Sequence, residues 1–488
     1  MSPPSAHAQE LQQLAASVMR ERGLLPEFSA RALQEAEGLD KPVLESGAGI
    51  RDLTALPWSS IDNDESRDLD QLEVAQSLPG GATRVMVAIA DVDCTCRLGS
   101  AMDGHARANT TSVYTVARIF PMLPEKLSTD LTSLRQDQPR MSLVFEMAFS
   151  ADGELQDSDI YRALVLNRAK LAYPAIAAWL EGGPAPAALS AVAGLDEQIR
   201  MQDAVAQSLR RRRQAMGALN FDTLQDRPVF ADGLLVDLRP DPKNRAQNLI
   251  EDLMIAANVV SARYLAAKGM PAIRRVLEVP KRWDRIVSLA RELGESLPTE
   301  PDAVELNAFL ARRRQADPPR FADLSLSVIK LLGSGEYSME MPGDERAGHF
   351  GLAVRDYTHS TAPNRRFPDL LTQRLLKAAL AGRASPYGMA DLQLLATHCT
   401  EQEDAAAKVE RQVRKSAAAM LLSGRIGESF DGIITGASDK GTWVRITRPA
   451  AEGRIVRGFA GADVGDHVRV RLLQTDMQRG YIDFARDG

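Results

Sequence analysis

Two aspartates flanking a leucine, Asp68-Leu69-Asp70, constrain this chain more than any other feature. They lie in residues 58–73, WSSIDNDESRDLDQLE, where four of sixteen residues are Asp and Glu65 and Glu73 add two more acids. In an extended segment, side chains i and i+2 share a face. Asp68 and Asp70 therefore point together, with Leu69 turned the other way into a core. Carboxylates held side by side repel each other unless a proton or a cation neutralises them. A hard divalent ion such as Mg²⁺ takes oxygen ligands and accepts phosphate as a further one.

On the residues alone, three readings of this stretch stay open. It is a solvated acidic loop, a calcium loop of EF-hand type, or a metal site acting on a phosphodiester, which needs clustered carboxylates. For the calcium loop, Asp62, Asp64, Ser66, Asp68, Asp70 and Glu73 fall at positions one, three, five, seven, nine and twelve. Against it, Arg67 stands where that loop needs Gly, Pro57 interrupts the preceding segment, and Gly80-Gly81 follows too soon for an exiting helix.

SIDNDESRDLD resembles the active-site stretch of the RNB family of exoribonucleases. The resemblance continues in order through VAIADVDCTCRLGSAMDGHA (87–106), TSVYTVARIFPMLPEKLSTDLTSL (111–134) and HFGLAVRDYTHSTAPNRRFPDLLTQRLL (349–376). The last is similar to an arginine-bearing motif usually written TSPIRRY-D. One departure stands out: the family commonly has a further Asp directly after the third, and here that position is Gln71.

The resemblance implies a processive 3′-to-5′ exoribonuclease that takes single-stranded RNA by its 3′ end and releases nucleoside 5′-monophosphates. It implies Mg²⁺, with Mn²⁺ as a substitute, held by Asp62, Asp68, Asp70 and Gln71. Asp70, Arg365 and Glu251 are the expected catalytic residues, Glu251 as a contact to the 3′-terminal nucleotide and Arg365 as the cation facing the scissile phosphate. Tyr114 is expected to stack on a base, with Phe221 as the second wall of that clamp and Arg366 on backbone phosphate. Glu410 is a candidate to orient Arg365. Asp91 reads either as a strand-end Asp or as another acid of the site. Two rival classes remain: an RNA-binding or scaffold protein with a silent RNB domain, and a metal-dependent deoxyribonuclease.

Composition is that of a globular protein, 44% hydrophobic and 25% charged, and the net charge of −6 does not announce a nucleic-acid binder. Affinity for RNA would rest on local clusters such as Arg210–Arg213, unless that run is only an exposed helix face. The chain holds no long apolar run of the length that spans a membrane. No secretory signal is visible. Three cysteines, Cys94, Cys96 and Cys399, make no disulfide framework, so a reducing cytoplasm is the expected home. No obligate protein partner is visible.

The chain reads as a multidomain α+β protein. Residues 1–48 form a helical, helix-turn-helix-like module. Its first helix carries Leu11, Leu14, Val18 and Met19 at helical spacing after Ser5, a possible N-cap, and its second runs from near Ser29 to Gly38. With four basic and seven acidic residues in the first 50, DNA reading by this module is not expected. Residues 49–422 form a large α/β catalytic domain, with a buried strand over 84–96, a long helix over 244–268, a loop over 335–347 and a last helix over 392–422 with Asp391 as N-cap. Residues 423–488 form a five-stranded OB-fold RNA-binding barrel in which Phe430, Trp443 and Phe459 are candidates to stack on bases. Ten basic and nine acidic residues there imply modest binding.

Overall fold

The computed structural model describes residues 6–47, 49–221, 225–231, 234–241, 243–280, 282–344, 348–438, 441–462 and 465–487. At the N-terminus, α1 (Ala6–Glu21) and α2 (Ala30–Glu37) are both present; Ser29 caps α2 by accepting the Ala32 N–H. Ser5 lies outside the described residues. The two helices do not form a module of their own. Leu11, Leu14, Val18 and Met19 of α1 are buried in a core shared with the last long helix and the C-terminal barrel, whereas Ala32 and Ala36 of α2 belong to the main core. Each helix buries its stripe against a different body, because one short helix cannot cover the other.

The main sheet comprises β1 (Ile50–Asp52), β2 (Trp58–Asp62), β3 (Gln71–Ser77), β4 (Thr83–Ala90), β7 (Pro139–Phe149) and β8 (Leu155–Ala172), and a short ribbon of β5 (Val113–Tyr114) and β6 (Ile119–Phe120) lies apart. The strand order is β1-β8-β2-β3-β4-β7. β8 pairs antiparallel with β7 over residues 155–166 and parallel with β2 over 167–172, so the sheet curls back on itself. β4 (TRVMVAIA) is covered on both faces, which is why it is apolar without alternation, while β8 alternates buried and half-buried positions. The expected strand over 84–96 stops at Ala90. Asp91 caps a 3₁₀ turn by accepting the Cys94 N–H, and Cys94 and Cys96 are free thiols beyond the strand.

Helices α3 (Ala101–Asn109), α4 (Tyr173–Leu180), α5 (Ala187–Ser190), α6 (Leu195–Ala215) and α7 (Arg245–Ala267) follow the chain, with a ribbon of β9 (Gln225–Ala231) and β10 (Leu234–Asp241) before α7. A capping box of Asn244 and Gln247 starts α7. Next come β11 (Ala272–Val276) and a lobe of α8 (Trp283–Glu292), α9 (Ala303–Ala316) and α10 (Pro318–Leu332) with its own core around Trp283, Phe309 and Phe321. The loop expected from residue 335 holds a strand instead, β12 (Glu336–Glu340), which pairs with β11 along its length. Its Gly- and charge-rich composition hid a pairing that only the partner strand supplies. α11 (Phe367–Leu380) and α12 (Met389–Leu422) complete the domain. α12 begins three residues before the expected start, with Gly388 rather than Asp391 at the cap.

At the C-terminus β13 (Ser429–Ser438), β14 (Gly441–Thr447), β15 (Ala450–Arg457), β16 (His467–Asp476) and β17 (Tyr481–Arg486) close a barrel in the order β13-β14-β15-β17-β16. A Cβ at Gly453 would meet the Phe484 ring and the Ile482 carbonyl at 2.5 Å, so only glycine lets β15 and β17 approach here. Phe430 is a core residue at 6% exposure, edge-on to Phe484, which removes it from the candidate stacking set; Phe459 is 52% exposed.

Candidate active site

Asp62 ends β2, and Asp68 to Gln71 lead into β3. Between them the chain turns tightly, with Asp62 Oδ1 accepting the Asn63 N–H at 2.6 Å and the Ser66 hydroxyl at 3.0 Å. The segment is then stitched to residues 133–134. Leu69 N–H donates to Ser133 Oγ, whose hydroxyl donates to the Arg67 carbonyl, and Leu134 N–H donates to the Leu69 carbonyl. Leu69 is buried, as the i, i+2 alternation requires. This strand–loop–strand course excludes the calcium loop. Glu73, its twelfth position, is fully buried in β3, and no helix follows.

Two other segments close over the carboxylates. Ser112 N–H donates to the Arg365 carbonyl at 2.9 Å and Phe367 N–H to the Thr110 carbonyl at 2.8 Å, so the strand carrying Tyr114 and the loop carrying Arg365 move as one piece. The result is a cavity of about 270 Å³ lined by Asp62, Asp68, Asp70, Gln71, Tyr114 and Arg365. Asn63, Ser66, Tyr173, Ile250, Met254 and Thr361 complete its wall.

Asp70 is 3% exposed; its Oδ1 accepts the Asn364 N–H at 3.1 Å and its Oδ2 lies 3.6 Å from Arg365 Nε. Burial pushes its pKa up to about 7, with Arg365 opposing and the like charge of Asp68 adding to the rise. Asp68 is shifted upward too, by burial and by Asp62. Both shifts describe carboxylates short of positive charge. Among the described residues no three His, Cys, Asp or Glu side chains converge closely enough to hold an ion by themselves. The donors that Asp62, Asp68 and Asp70 present to the cavity are all oxygens, the ligand type a hard divalent ion takes beside waters and phosphate. The amide carbonyl of Gln71 is a further oxygen donor of the right kind.

Three expected site residues lie elsewhere. Glu251 is one residue from Ile250 on α7, but its side chain turns into a second cavity of about 330 Å³. There it pairs with Lys243 at 2.5 Å and Arg210 at 3.4 Å. Phe221 lines that same second cavity and packs on the helical lobe, so it does not wall a clamp with Tyr114. Arg366 points away from the carboxylates, its Nη2 donating to the fully buried Asp369 at 2.7 Å. Glu410 does not reach for Arg365; its Oε1 accepts the Tyr114 N–H at 2.8 Å and so anchors the strand that carries Tyr114. Asp91 is taken by Lys377 at 2.7 Å and Arg162 at 3.1 Å. Arg210 and Arg213 pair with Asp252, and Arg212 with Asp152, so the arginine run is largely neutralised.

Tyr173 is the site residue that sequence reasoning missed. It opens α4 at the end of β8, and its position beside Asp62 follows from the parallel pairing of Asp62 with Ala172. Ile250 and Met254, four apart on α7, were missed as well, since the helix over 244–268 was expected but nothing local marked these two as facing the carboxylates.

The chain matches the RNB domain over residues 50–382 and the RNase II-type exonuclease C-terminal S1 domain over residues 428–487. It is 29% identical to ribonuclease R of Aquifex aeolicus, over 96% of this chain and 69% of that protein. It is 30% identical to ribonuclease R of Escherichia coli K12, over 93% of this chain and 59% of that protein. The chain thus spans between about three fifths and seven tenths of the length of these relatives. Its fold superposes on Mycoplasma genitalium RNase R in complex with ribose methylated single-stranded RNA with a TM-score of 0.86 at 21% identity, over 97% of this chain and 77% of that one. No described helix is long and apolar enough to cross a membrane.

Proposed function

The chain belongs to the RNB family, and from that premise we propose that it is a processive 3′-to-5′ exoribonuclease, hydrolysing single-stranded RNA to nucleoside 5′-monophosphates with Mg²⁺. The observation that carries this reading is the gathering of Asp62, Asp68, Asp70, Gln71 and Arg365 around one cavity that is far smaller than a duplex and is walled by two tyrosines. Asp62, Asp68, Asp70 and Gln71 would hold the Mg²⁺, or Mn²⁺ in its place, which supplies water activation and charge neutralisation at the scissile phosphate. Arg365 offers a half-exposed guanidinium to the phosphate oxygens as they gain charge. Tyr114, 39% exposed, and Tyr173 offer aromatic faces to the terminal bases. The same reading places the enzyme in the cytoplasm, where its unpaired thiols stay reduced.

End-labelled single-stranded RNA and DNA, incubated with and without Mg²⁺, test the reading. RNA should shorten from its 3′ end only with the metal, and DNA should bind but barely be cut. Equal rates on matched RNA and DNA would sink it. A second reading, an RNA-binding chain with a silent site, is favoured by one observation: Gln71 is neutral where the resembled motif carries an acid.

Two expected outcomes follow from this geometry. Gln71 keeps an oxygen donor but contributes no charge, so the wild-type chain should need more Mg²⁺ for half-maximal rate than Gln71→Asp. Coinciding Mg²⁺ curves would put Gln71 outside the metal shell; a wild type that is inert at every concentration and is rescued by Gln71→Asp would favour the silent site. Tyr114→Ala should change the length of the final product more than the early rate, because stacking worth about 1–3 kcal/mol per base matters most when few bases remain bound. An unchanged product ladder on a sequencing gel would remove Tyr114 from the clamp.

A further inference from the structure

Asn364 lies between the two arms of the candidate site. It is 1% exposed, in the loop that brings Arg365 to Asp70. Its backbone N–H donates to Asp70 Oδ1 at 3.1 Å. Its side-chain Oδ1 lies 2.6 Å from the hydroxyl of Thr132, which shares its one proton between this oxygen and the Leu127 carbonyl at 2.8 Å. Thr132 is itself buried and fixed, its N–H donating to the Leu127 carbonyl at 3.0 Å. Thr132 belongs to the segment whose next two residues, Ser133 and Leu134, hold the backbone of Arg67 and Leu69. One short stretch therefore grips the carboxylate loop on one side and the arginine loop on the other.

The choice of residue is informative. Asn364 Nδ2 is buried and meets no acceptor among the described residues. An unpaired buried N–H group costs stability, and an apolar side chain of similar size would fill the same space without that cost. The resembled arginine motif carries Ile here. A buried amide in its place pays off only through the bond it makes with Thr132. That bond ties the loop whose backbone N–H meets Asp70 to the segment that holds Arg67 and Leu69.

We propose that Thr132 and Asn364 form a positioning pair that locks the Asp70 carboxylate against the Arg365 loop. The pair touches neither substrate nor metal. It sets the geometry between two groups that do, and so rests on the assignment of Asp70 and Arg365 as the reacting side chains.

Thr132→Val and Asn364→Leu remove the bond while keeping size and the backbone N–H. Each should lower kcat on single-stranded RNA by about 10–100-fold, the range typical of partners that orient a metal-site carboxylate, with KM within about twofold. Thr132→Ser keeps the hydroxyl and should recover kcat to within about threefold of wild type. Residues acting through one bond do not add, so the double variant should be no slower than the slower single one. In RNA-free protein, hydrogen exchange of the peptide over residues 361–367 should speed up at least about tenfold in both single variants, with the barrel peptides unchanged. Wild-type kcat and protection in both folded variants would overturn the proposal, as would losses that multiply in the double variant. Should Thr132→Val fail to fold, Asn364→Leu alone carries the decision. If the wild-type chain does not cut RNA, the functional reading fails; the exchange experiment still judges the pair, since lost protection upholds it and unchanged protection refutes it.

Discussion

Asp70→Asn should abolish RNA hydrolysis, by on the order of a thousandfold or more, while leaving RNA affinity within a few fold of wild type. The side chain keeps its shape and its acceptor for the Asn364 N–H, so the loop stays in place. What disappears is the charge that would draw a cation and orient its water. Removing an anion from a phosphate site does not weaken binding, so gel-shift affinity and turnover should part company. The same substitution should have a stability signature. In the folded chain this carboxyl titrates at about 7, above the ordinary aspartate value of about 3.9. Below the lower value the group costs nothing. As pH rises through the window the unfolded chain releases the proton first, and folding loses free energy up to about pH 7. In EDTA, Asp70→Asn should therefore melt above wild type near pH 8, by on the order of a few kcal/mol, with the gap narrowing as pH falls toward about 4. Parallel loss of binding and melting temperature would make Asp70 a structural residue instead.

The parts of the site that were legible in the sequence are those set by local geometry. Asp68, Leu69 and Asp70 alternate as an extended segment must, and Leu69 is buried between them. Residues 111–134 and 349–376 were recognisable as strings, but their task was not: Ser112 meets Arg365 backbone to backbone, while Ser133 Oγ and the Leu134 N–H hold the carboxylate segment at Arg67 and Leu69. Phase on a helix was also hidden. Ile250 and Glu251 are neighbours in sequence, yet they are rotated by about 100° on α7 and face different cavities. Tyr173, and not Phe221, lines the cavity of the carboxylates, and nothing local says which aromatic a sheet end will carry there. The N-terminal helices were found in place, but which core each would join depends on α12 and the barrel, hundreds of residues away in sequence. Glu73 was named in the sequence, but its burial was not legible there. It reads as one more acid of a charged stretch, whereas it is a fully buried carboxyl whose pKa burial drives far upward.

Arg365→Lys should lower kcat by about a hundredfold or more, with KM little changed, because a planar fork of donors is replaced by a point charge. The backbone of residue 365 is held by Ser112, so the loop survives the change and the loss reports the guanidinium itself. Arg365→Ala should lose more, and added guanidinium should restore part of the rate, since the half-exposed side chain leaves an open path to its place. Its neighbour gives the contrast. Arg366 is half-buried against the fully buried Asp369, whose Oδ1 also accepts the Ala362 N–H at the root of the same loop. Removing Arg366 leaves a buried carboxylate without its cation, a change that costs about 3–5 kcal/mol. Arg366→Ala should therefore lower the melting temperature sharply and show no guanidinium rescue, whereas Arg365→Ala should melt near wild type. If both variants lose stability and neither is rescued, the two arginines share a structural task and the phosphate must be met by another cation. If both melt normally and both are rescued, Arg366 reaches the cavity during turnover and its pairing with Asp369 is a resting arrangement.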